Sequence, residues 1–175
     1  MSTDALIDLF HHRWAPPALA LLGERGGARF VELQRRLEVG RESLRRALDA
    51  LVAQGYAQPN TGYGHPLRPE YVTTAPGRQA AALAARVLAA GNPDVLLRKW
   101  SVPVLAELGP ARRFSELRAA LTGVTPRALA LTLHDLEDAG LVRREVLSTR
   151  PPSSLYRPTT AGRRVQRALA DREGS

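Results

Sequence analysis

Three polar side chains recur on one side of a predicted helix in the second half of the chain. Thr125, Arg127 and His134 fall opposite a stripe of leucines at helical spacing. Arginine carries a planar fork of N–H donors, which can bind the edge of a guanine or two phosphate oxygens. A single arginine on a helix is usually just solvated, so its meaning depends on the elements that position it.

Those elements are two helices joined by a tight turn. The first is predicted by apolar residues at helical spacing, Phe114, Leu117 and Leu121. Gly123 ends it, and Thr125-Pro126 starts the second helix, because threonine can cap free N–H groups and proline suits the first helical position. The pattern predicts a helix-turn-helix whose second helix, residues 126–139, is offered to a DNA major groove.

Two apolar residues interrupt the polar side of this second helix. Ala130 and Leu131 lie between Arg127 and His134 in the helical pattern. They could contact thymine methyl groups, or they could form a surface for a different, apolar partner. From the sequence both interpretations stay open.

A predicted β-hairpin follows the second helix and adds more arginines. Arg143, Arg144 and Arg150 lie along residues 142–158, where Pro151 to Ser154 predict the turn. Arginines on such a wing could reach phosphates or the minor groove.

The composition favours a polyanionic partner and excludes several kinds of chemistry. The chain has 175 residues, a net charge of +8 and 44% apolar residues, so it can form a core. It has no cysteine, which excludes disulfides, cysteine-based zinc sites and thiol catalysis. No enzyme motif, cofactor motif, signal peptide or membrane-spanning run is found, so we expect a cytoplasmic protein that is not an enzyme and has no membrane partner. The adjacent His11 and His12 make a poor metal pair, so no metal site is predicted.

The chain also repeats itself. Residues around Trp14 match those around Trp100, and matching landmarks continue in order to Gly77-Arg78 and Gly162-Arg163. Each repeat predicts the same elements: a short helix (about 3–11; 94–99), a helix ending at Gly23 or Gly109, a helix with the FxELxxxL pattern, a recognition helix (41–54; 126–139), a hairpin (57–73; 142–158) and a last helix (75–89; 160–172). The AAGNP run ending at Pro93 predicts a boundary between domains 1–90 and 91–175. Both tryptophans are predicted to pack in the core.

The second repeat resembles a known family. The run RKW…LxELG…RFSELRxALxGVTPRALxxxLxxLExAGLVRR…LYxPTxAGR is similar to the HxlR-type winged helix-turn-helix regulators, relatives of the MarR group. The first repeat is similar but eroded. Members of that family usually carry one such domain and dimerise, so the resemblance implies two tandem winged-helix domains forming a pseudo-dimer, mainly α with small β-hairpin wings.

The first repeat carries its own candidate DNA contacts. Arg41, Arg45 and Arg46 lie on its recognition helix, and Arg68 lies on its hairpin beside His65. Glu42 and Asp49 stand four residues from Arg46 and Arg45, so ion pairs within the helix explain these arginines equally well. The first repeat is also the less basic half.

The sequence therefore predicts a transcriptional regulator that binds double-stranded DNA, as a monomeric pseudo-dimer or a homodimer, with a small-molecule effector left open. Two alternatives remain. One is a small-molecule-binding protein on a winged-helix scaffold that has lost DNA binding. The other is a winged-helix protein-interaction module.

Overall fold

The chain is mainly helical with two small antiparallel sheets. The computed structural model describes residues 1–60, 70–148 and 153–170. In the described ranges no helix is both long and apolar enough to cross a membrane. Contacts divide the chain into two compact units, which we call the first unit (His11–Arg86) and the second unit (Met1–Phe10 with Val87–Ser175).

The helices and strands alternate in a repeating order along the chain. In chain order they are α1 (Thr3–His11), α2 (Ala15–Arg25), β1 (Ala28–Arg29), α3 (Phe30–Leu37), α4 (Arg41–Ala53), β2 (Ala57–Pro59), β3 (Glu70–Thr73), α5 (Ala75–Ala90), α6 (Pro93–Leu96), α7 (Ser101–Leu108), β4 (Arg112–Arg113), α8 (Phe114–Ala120), α9 (Pro126–Asp138), β5 (Val142–Leu147), β6 (Ser153–Pro158) and α10 (Thr160–Ala170).

The second unit contains the predicted helix-turn-helix, α8 and α9, followed by the hairpin β5–β6. Strand β6 lies between β4 and β5, and both pairings are antiparallel. Helix α9 packs against α7 and β5. Its apolar stripe forms the core, because the side chains of Leu129, Leu133 and Leu136 are at most 1% exposed. The predicted leucine stripe of this helix is confirmed.

The first unit has helices α2, α3 and α4 and a sheet in the order β1-β3-β2. Helix α4 buries Leu44, Leu48 and Leu51 completely, and it packs against α2 and β2. Helix α1 belongs by its contacts to the second unit, and the division after Arg86 falls inside α5. That residues 1–90 and 91–175 each form a complete domain stays a prediction.

The prediction that Gly23 ends the second helix is wrong. Helix α2 continues to Arg25, and Gly26 follows it with a φ of 73°. A Cβ atom on Gly23 would lie 2.5 Å from the Cβ of Ala81. Gly23 is therefore a packing position, where α2 and α5 approach closely, and the residue that ends the helix is Gly26.

The prediction that both tryptophans pack in the core is also wrong. Trp14 and Trp100 are only half-buried, and each lies at the N-cap of the following helix. A cation lies over each ring: Arg13 Cζ is 5.8 Å from the ring centroid of Trp14, and Lys99 Nζ is 5.1 Å from that of Trp100. Each ring therefore meets a cation at its face.

Candidate nucleic-acid interface

Helix α9 begins with a capped turn that fixes its first residues. The Oγ1 atom of Thr125 accepts a hydrogen bond from the N–H of Ala128 at 3.1 Å, and Pro126 occupies the first helical position. Gly140, with a φ of 67°, follows the C-cap. The predicted cap and start of the helix are confirmed, and the helix ends one residue before the predicted end. Because the helix starts at a defined residue, the side chains that point outward are also defined.

The outward side of α9 carries the predicted residues. Arg127, Ala130, Leu131 and His134 are all exposed. In the described part of the chain the guanidinium of Arg127 has no acidic partner, whereas His134 Nδ1 lies 3.4 Å from Asp138 Oδ1. This face therefore begins with an uncompensated cation and continues with two apolar side chains.

The inward side of α9 is held by polar contacts as well as leucines. The Thr132 hydroxyl donates to the carbonyl of Ala128 at 2.8 Å, and Asp135 forms an ion pair with Arg98, which follows α6. The hydrogen bond from Arg98 to Asp135 raises the pKa of the already basic Arg98 guanidinium. Asp135 is thus committed to holding the helix and does not oppose an anion on the outward face.

We expect Thr125→Ala to destabilise the second unit by about 1 kcal/mol, because the N–H of Ala128 loses its acceptor. Urea unfolding followed by circular dichroism measures the loss. Thr122→Ala is the matched control, since Thr122 is an exposed threonine in the same turn with no hydrogen bond in the described residues. Equal midpoints for the two variants would contradict the capping role.

The hairpin β5–β6, which we call the wing, leaves Arg143 with no acidic partner in the described residues. Arg143 lies directly opposite Arg157 in the antiparallel register. The Nε atom of Arg157 donates to Glu145 Oε2 at 2.9 Å, so the charge of Arg157 is neutralised. Like charges that face each other across strands repel. Arg143, with no acidic partner in the described residues, is therefore a cation available to an external anion.

Arg144 occupies the other face of the wing. Its Nε atom donates to the Ser154 hydroxyl at 2.8 Å, and it lies opposite Tyr156, whose pKa is raised by burial. Hydrogen bonding to a neutral hydroxyl orients this guanidinium without cancelling its charge. Of Arg143 and Arg144, Arg143 is the freer, because the guanidinium of Arg144 is held by Ser154.

The sequence missed Arg157 and Glu145, which decide the electrostatics of the wing. Their pairing depends on the register of β5 against β6, which is set by the hydrophobic pattern of both strands and the geometry of the turn rather than by any single residue. Arg150 lies outside the described residues, as do Arg68 and His65.

The outward face of α4 in the first unit is different. Glu42 lies 3.4 Å from the guanidinium of Arg46 and 3.8 Å from that of Arg45, and all three side chains are well exposed. The predicted pair of Glu42 with Arg46 is present, whereas Arg45 turns to Glu42 instead of Asp49. Arg41 lies with its Cζ 6.0 Å from the ring centroid of Phe30. One carboxylate shared by two arginines weakens the positive potential of this face.

The described residues offer no group of three or more side chains that could hold a metal ion. The second unit instead has the geometry of a winged helix-turn-helix, a class in which the second helix lies in the DNA major groove.

Comparison with known proteins agrees with this class. Residues 95–172 match the family described as HxlR-like helix-turn-helix. The chain is 32% identical over 79 residues to an uncharacterized HTH-type transcriptional regulator of Bacillus subtilis, YvaP, a match covering 45% of this chain and 73% of the relative. It is 40% identical over 77 residues to a similarly named regulator of Synechocystis, sll1512, covering 43% of this chain and 57% of the relative.

The chain belongs to the HxlR-like helix-turn-helix family. It spans little more than half the length of the Synechocystis relative. A solved transcriptional regulator of the MarR family from Enterococcus faecalis V583 is 34% identical, with a TM-score of 0.41, covering 48% of this chain and 73% of that one. The family match lies within the second unit, and residues 1–94 lie outside it.

Proposed function

We propose that this chain is a transcriptional regulator that binds double-stranded DNA through two tandem winged helix-turn-helix domains. The observation that carries the proposal is that the helix offered to DNA and the wing each present an exposed arginine with no acidic partner in the described residues, Arg127 on α9 and Arg143 on the wing. Both are exposed in a chain with a net charge of +8, within a family of helix-turn-helix regulators. The relatives are named as regulators, and accordingly we propose no catalysis.

A tandem duplication is supported by matching contacts in the two units. The hydroxyl of Thr74 donates to the carbonyl of Gly55 at 2.6 Å, and that of Thr159 donates to the carbonyl of Gly140 at the same distance. The same hydroxyls accept from the N–H of Gly77 at 3.0 Å and of Gly162 at 3.1 Å. The two sheets also have corresponding strand orders, with the last strand in the middle of each.

The FxELxxxL pattern supports the duplication in the same way. Glu32 accepts a hydrogen bond from the N–H of Arg29 at 3.0 Å, and Glu116 accepts one from the N–H of Arg113 at 2.6 Å. The bond from Arg29 lowers the pKa of Glu32. In both units this glutamate closes the first turn of the first helix of the pair, which explains why the pattern occurs twice.

In the proposal the two domains contribute differently to binding. The second domain fixes the sequence through Thr125, Arg127 and His134, with Arg143, Arg144 and Arg150 on its wing. The first domain adds mainly backbone affinity through Arg41, Arg45, Arg46 and Arg68, because Glu42 partly neutralises its helix. Such a chain would act as a pseudo-dimer on an asymmetric operator.

A small-molecule binder on the same scaffold is the second candidate, but in one cleft of the described residues the polar side chains already form internal hydrogen bonds. The cleft lies in the second unit and is lined by residues of α1, α7 and α10. Glu107 there pairs with Thr3 and Arg112, and the Gln166 side chain donates to the carbonyls of Leu105 and Gly109. Polar groups that are already paired do not orient a ligand. The protein-interaction module has no separate observation in its favour.

Selection of bound fragments from a random duplex library by the full chain tests the proposal. We expect an asymmetric consensus, and we expect retention on random duplex at low salt with release as salt rises. A chain that enriches no fragment and is not retained on duplex DNA even at low salt would contradict the proposal.

Arg143→Ala is expected to weaken binding to every duplex by a similar factor and to lower the slope of log K against log salt by about one unit, because one phosphate contact is lost. Fluorescence anisotropy at four or more salt concentrations measures the slope. Arg167→Ala removes the same charge from the exposed side of α10, and its slope should stay that of the wild type. A slope unchanged by Arg143→Ala would remove Arg143 from the interface.

A further inference from the structure

Leu131 is a large apolar side chain that the fold does not need. It is 53% exposed, while the core-facing stripe of α9 is complete without it. The matching repeat position on α4 carries Arg46, which is also exposed, so the helix folds with a charged residue there. Ala130, next to Leu131, is exposed as well. The exposed leucine therefore needs an explanation outside the fold, namely contact with a binding partner.

The neighbours of Leu131 identify what it meets. Arg127 lies one turn before it and His134 three residues after it, so a cation and a polar ring flank the apolar pair on one face. In the major groove only thymine presents an apolar group, its C5 methyl, while guanine presents the N7 and O6 acceptors that arginine binds. The side chains on this face of α9 therefore match a DNA site that has a guanine for Arg127 and a thymine nearby for Leu131.

We propose that Leu131 and Ala130 read thymine C5 methyl groups, which makes a thymine beside the guanine bound by Arg127 part of the operator. This inference rests on the proposed DNA-binding function and specifies its ligand. Four residues of helix advance about 6 Å, and one base pair advances about 3.4 Å. The thymine is therefore expected within two base pairs of the guanine.

A protein partner fits this face less well. One leucine and one alanine expose far less area than the roughly 800 Å² per partner of a stable protein interface. The uncompensated Arg127 and Arg143 would also be buried unpaired against an apolar partner, which is costly. Phosphates and guanine edges satisfy both arginines, so duplex DNA is the occupant that the charges favour.

The test uses the duplex selected by the full chain and the same duplex with uracil in place of thymine, which removes only the methyl groups. Wild-type protein should bind the uracil duplex about fourfold more weakly for each methyl contacted. Leu131→Ala should bind the thymine duplex more weakly and lose most of this thymine-to-uracil ratio. Val31→Ala, which shortens an apolar side chain 72% exposed on α3, should keep the full ratio.

The outcomes separate this inference from the proposed function. A protein that selects a duplex but binds the thymine and uracil forms equally overturns the methyl contact and leaves the regulator proposal standing. The same holds if Leu131→Ala keeps the full ratio while circular dichroism shows a folded protein. Failure to enrich any duplex overturns both together. A single-position uracil series then shows which thymine is read, and one farther than two base pairs from the guanine contradicts the geometry.

Discussion

Arg127→Ala is expected to weaken binding to the selected duplex by about 5- to 150-fold, equivalent to about 1–3 kcal/mol, and to relax the base preference at one position. The reason is that the guanidinium is exposed on the first turn of α9 with no acidic partner in the described residues. It can therefore donate two N–H groups of its guanidinium to guanine N7 and O6. Anisotropy titrations on the selected duplex and on a random duplex, at one salt concentration, measure the two affinities.

Two further variants show whether the loss of affinity in Arg127→Ala comes from the lost shape of the guanidinium or from its lost charge. Arg127→Lys keeps the charge but loses the planar fork, so it should bind random duplex like the wild type and still lose affinity for the selected one. Arg46→Ala removes an exposed arginine from α4, where Glu42 lies 3.4 Å away, and should cause a smaller loss that is equal for both duplexes. If Arg127→Ala weakens both duplexes equally, Arg127 contacts phosphate and not a base edge.

The helix-turn-helix could be predicted from the sequence because its signals are local. Thr125-Pro126 marks the start of α9, and the observed helix, Pro126–Asp138, ends one residue before the predicted end. The start of α4 at Arg41 and that of α10 at Thr160 are also where the pattern places them. Capping residues and leucine spacing act within one or two turns, so no tertiary information was needed.

The missed features depend on contacts between distant residues. Gly23 reads as a helix end, but it lies within α2, where its lack of a Cβ leaves room for Ala81 of α5. Strands β1 and β4 have two residues each, too few for any alternating pattern, and they exist only because β3 and β6 pair with them. The predicted helix 94–99 is shorter, Pro93–Leu96, with Trp100 acting as the N-cap of the next helix.

The residues of the candidate site also fall into two groups: those that local spacing predicts and those that depend on long-range pairing. Helical spacing alone places Arg127, Leu131 and His134 on one face, since they are four and three residues apart. Which arginine of the wing is free could not be predicted, because the answer depends on Glu145 reaching Arg157 across the hairpin. Helix faces follow from spacing, but cross-strand charge pairing follows from register.

Gly162→Ala is expected to destabilise the second unit by roughly 3 kcal/mol, the upper end of the usual cost of overpacking. A Cβ atom there would lie 2.0 Å from the carbonyl oxygen of Leu141, a distance that requires α10 or the start of the wing to move. The same shift would strain the hydrogen bond from Gly162 N–H to Thr159 Oγ1. In an unconstrained helix the change would instead stabilise by up to about 1 kcal/mol, so the sign alone is informative.

Urea unfolding of Gly162→Ala, together with two further variants, tests the two-domain proposal. Gly77→Ala places its Cβ 1.7 Å from the carbonyl oxygen of Tyr56 and should destabilise the first unit. Gly40→Ala has nothing within 4 Å of its Cβ and is the control; because Gly40 is the N-cap of α4, where alanine caps poorly, it should cost no more than about 1 kcal/mol. If the repeats unfold separately, Gly162→Ala and Gly77→Ala shift different transitions, and the helix-turn-helix of the unaltered repeat keeps its stability. A single transition that both variants shift alike would mean that the repeats unfold as one unit. A Gly162→Ala protein at least as stable as the wild type would contradict the close contact with Leu141.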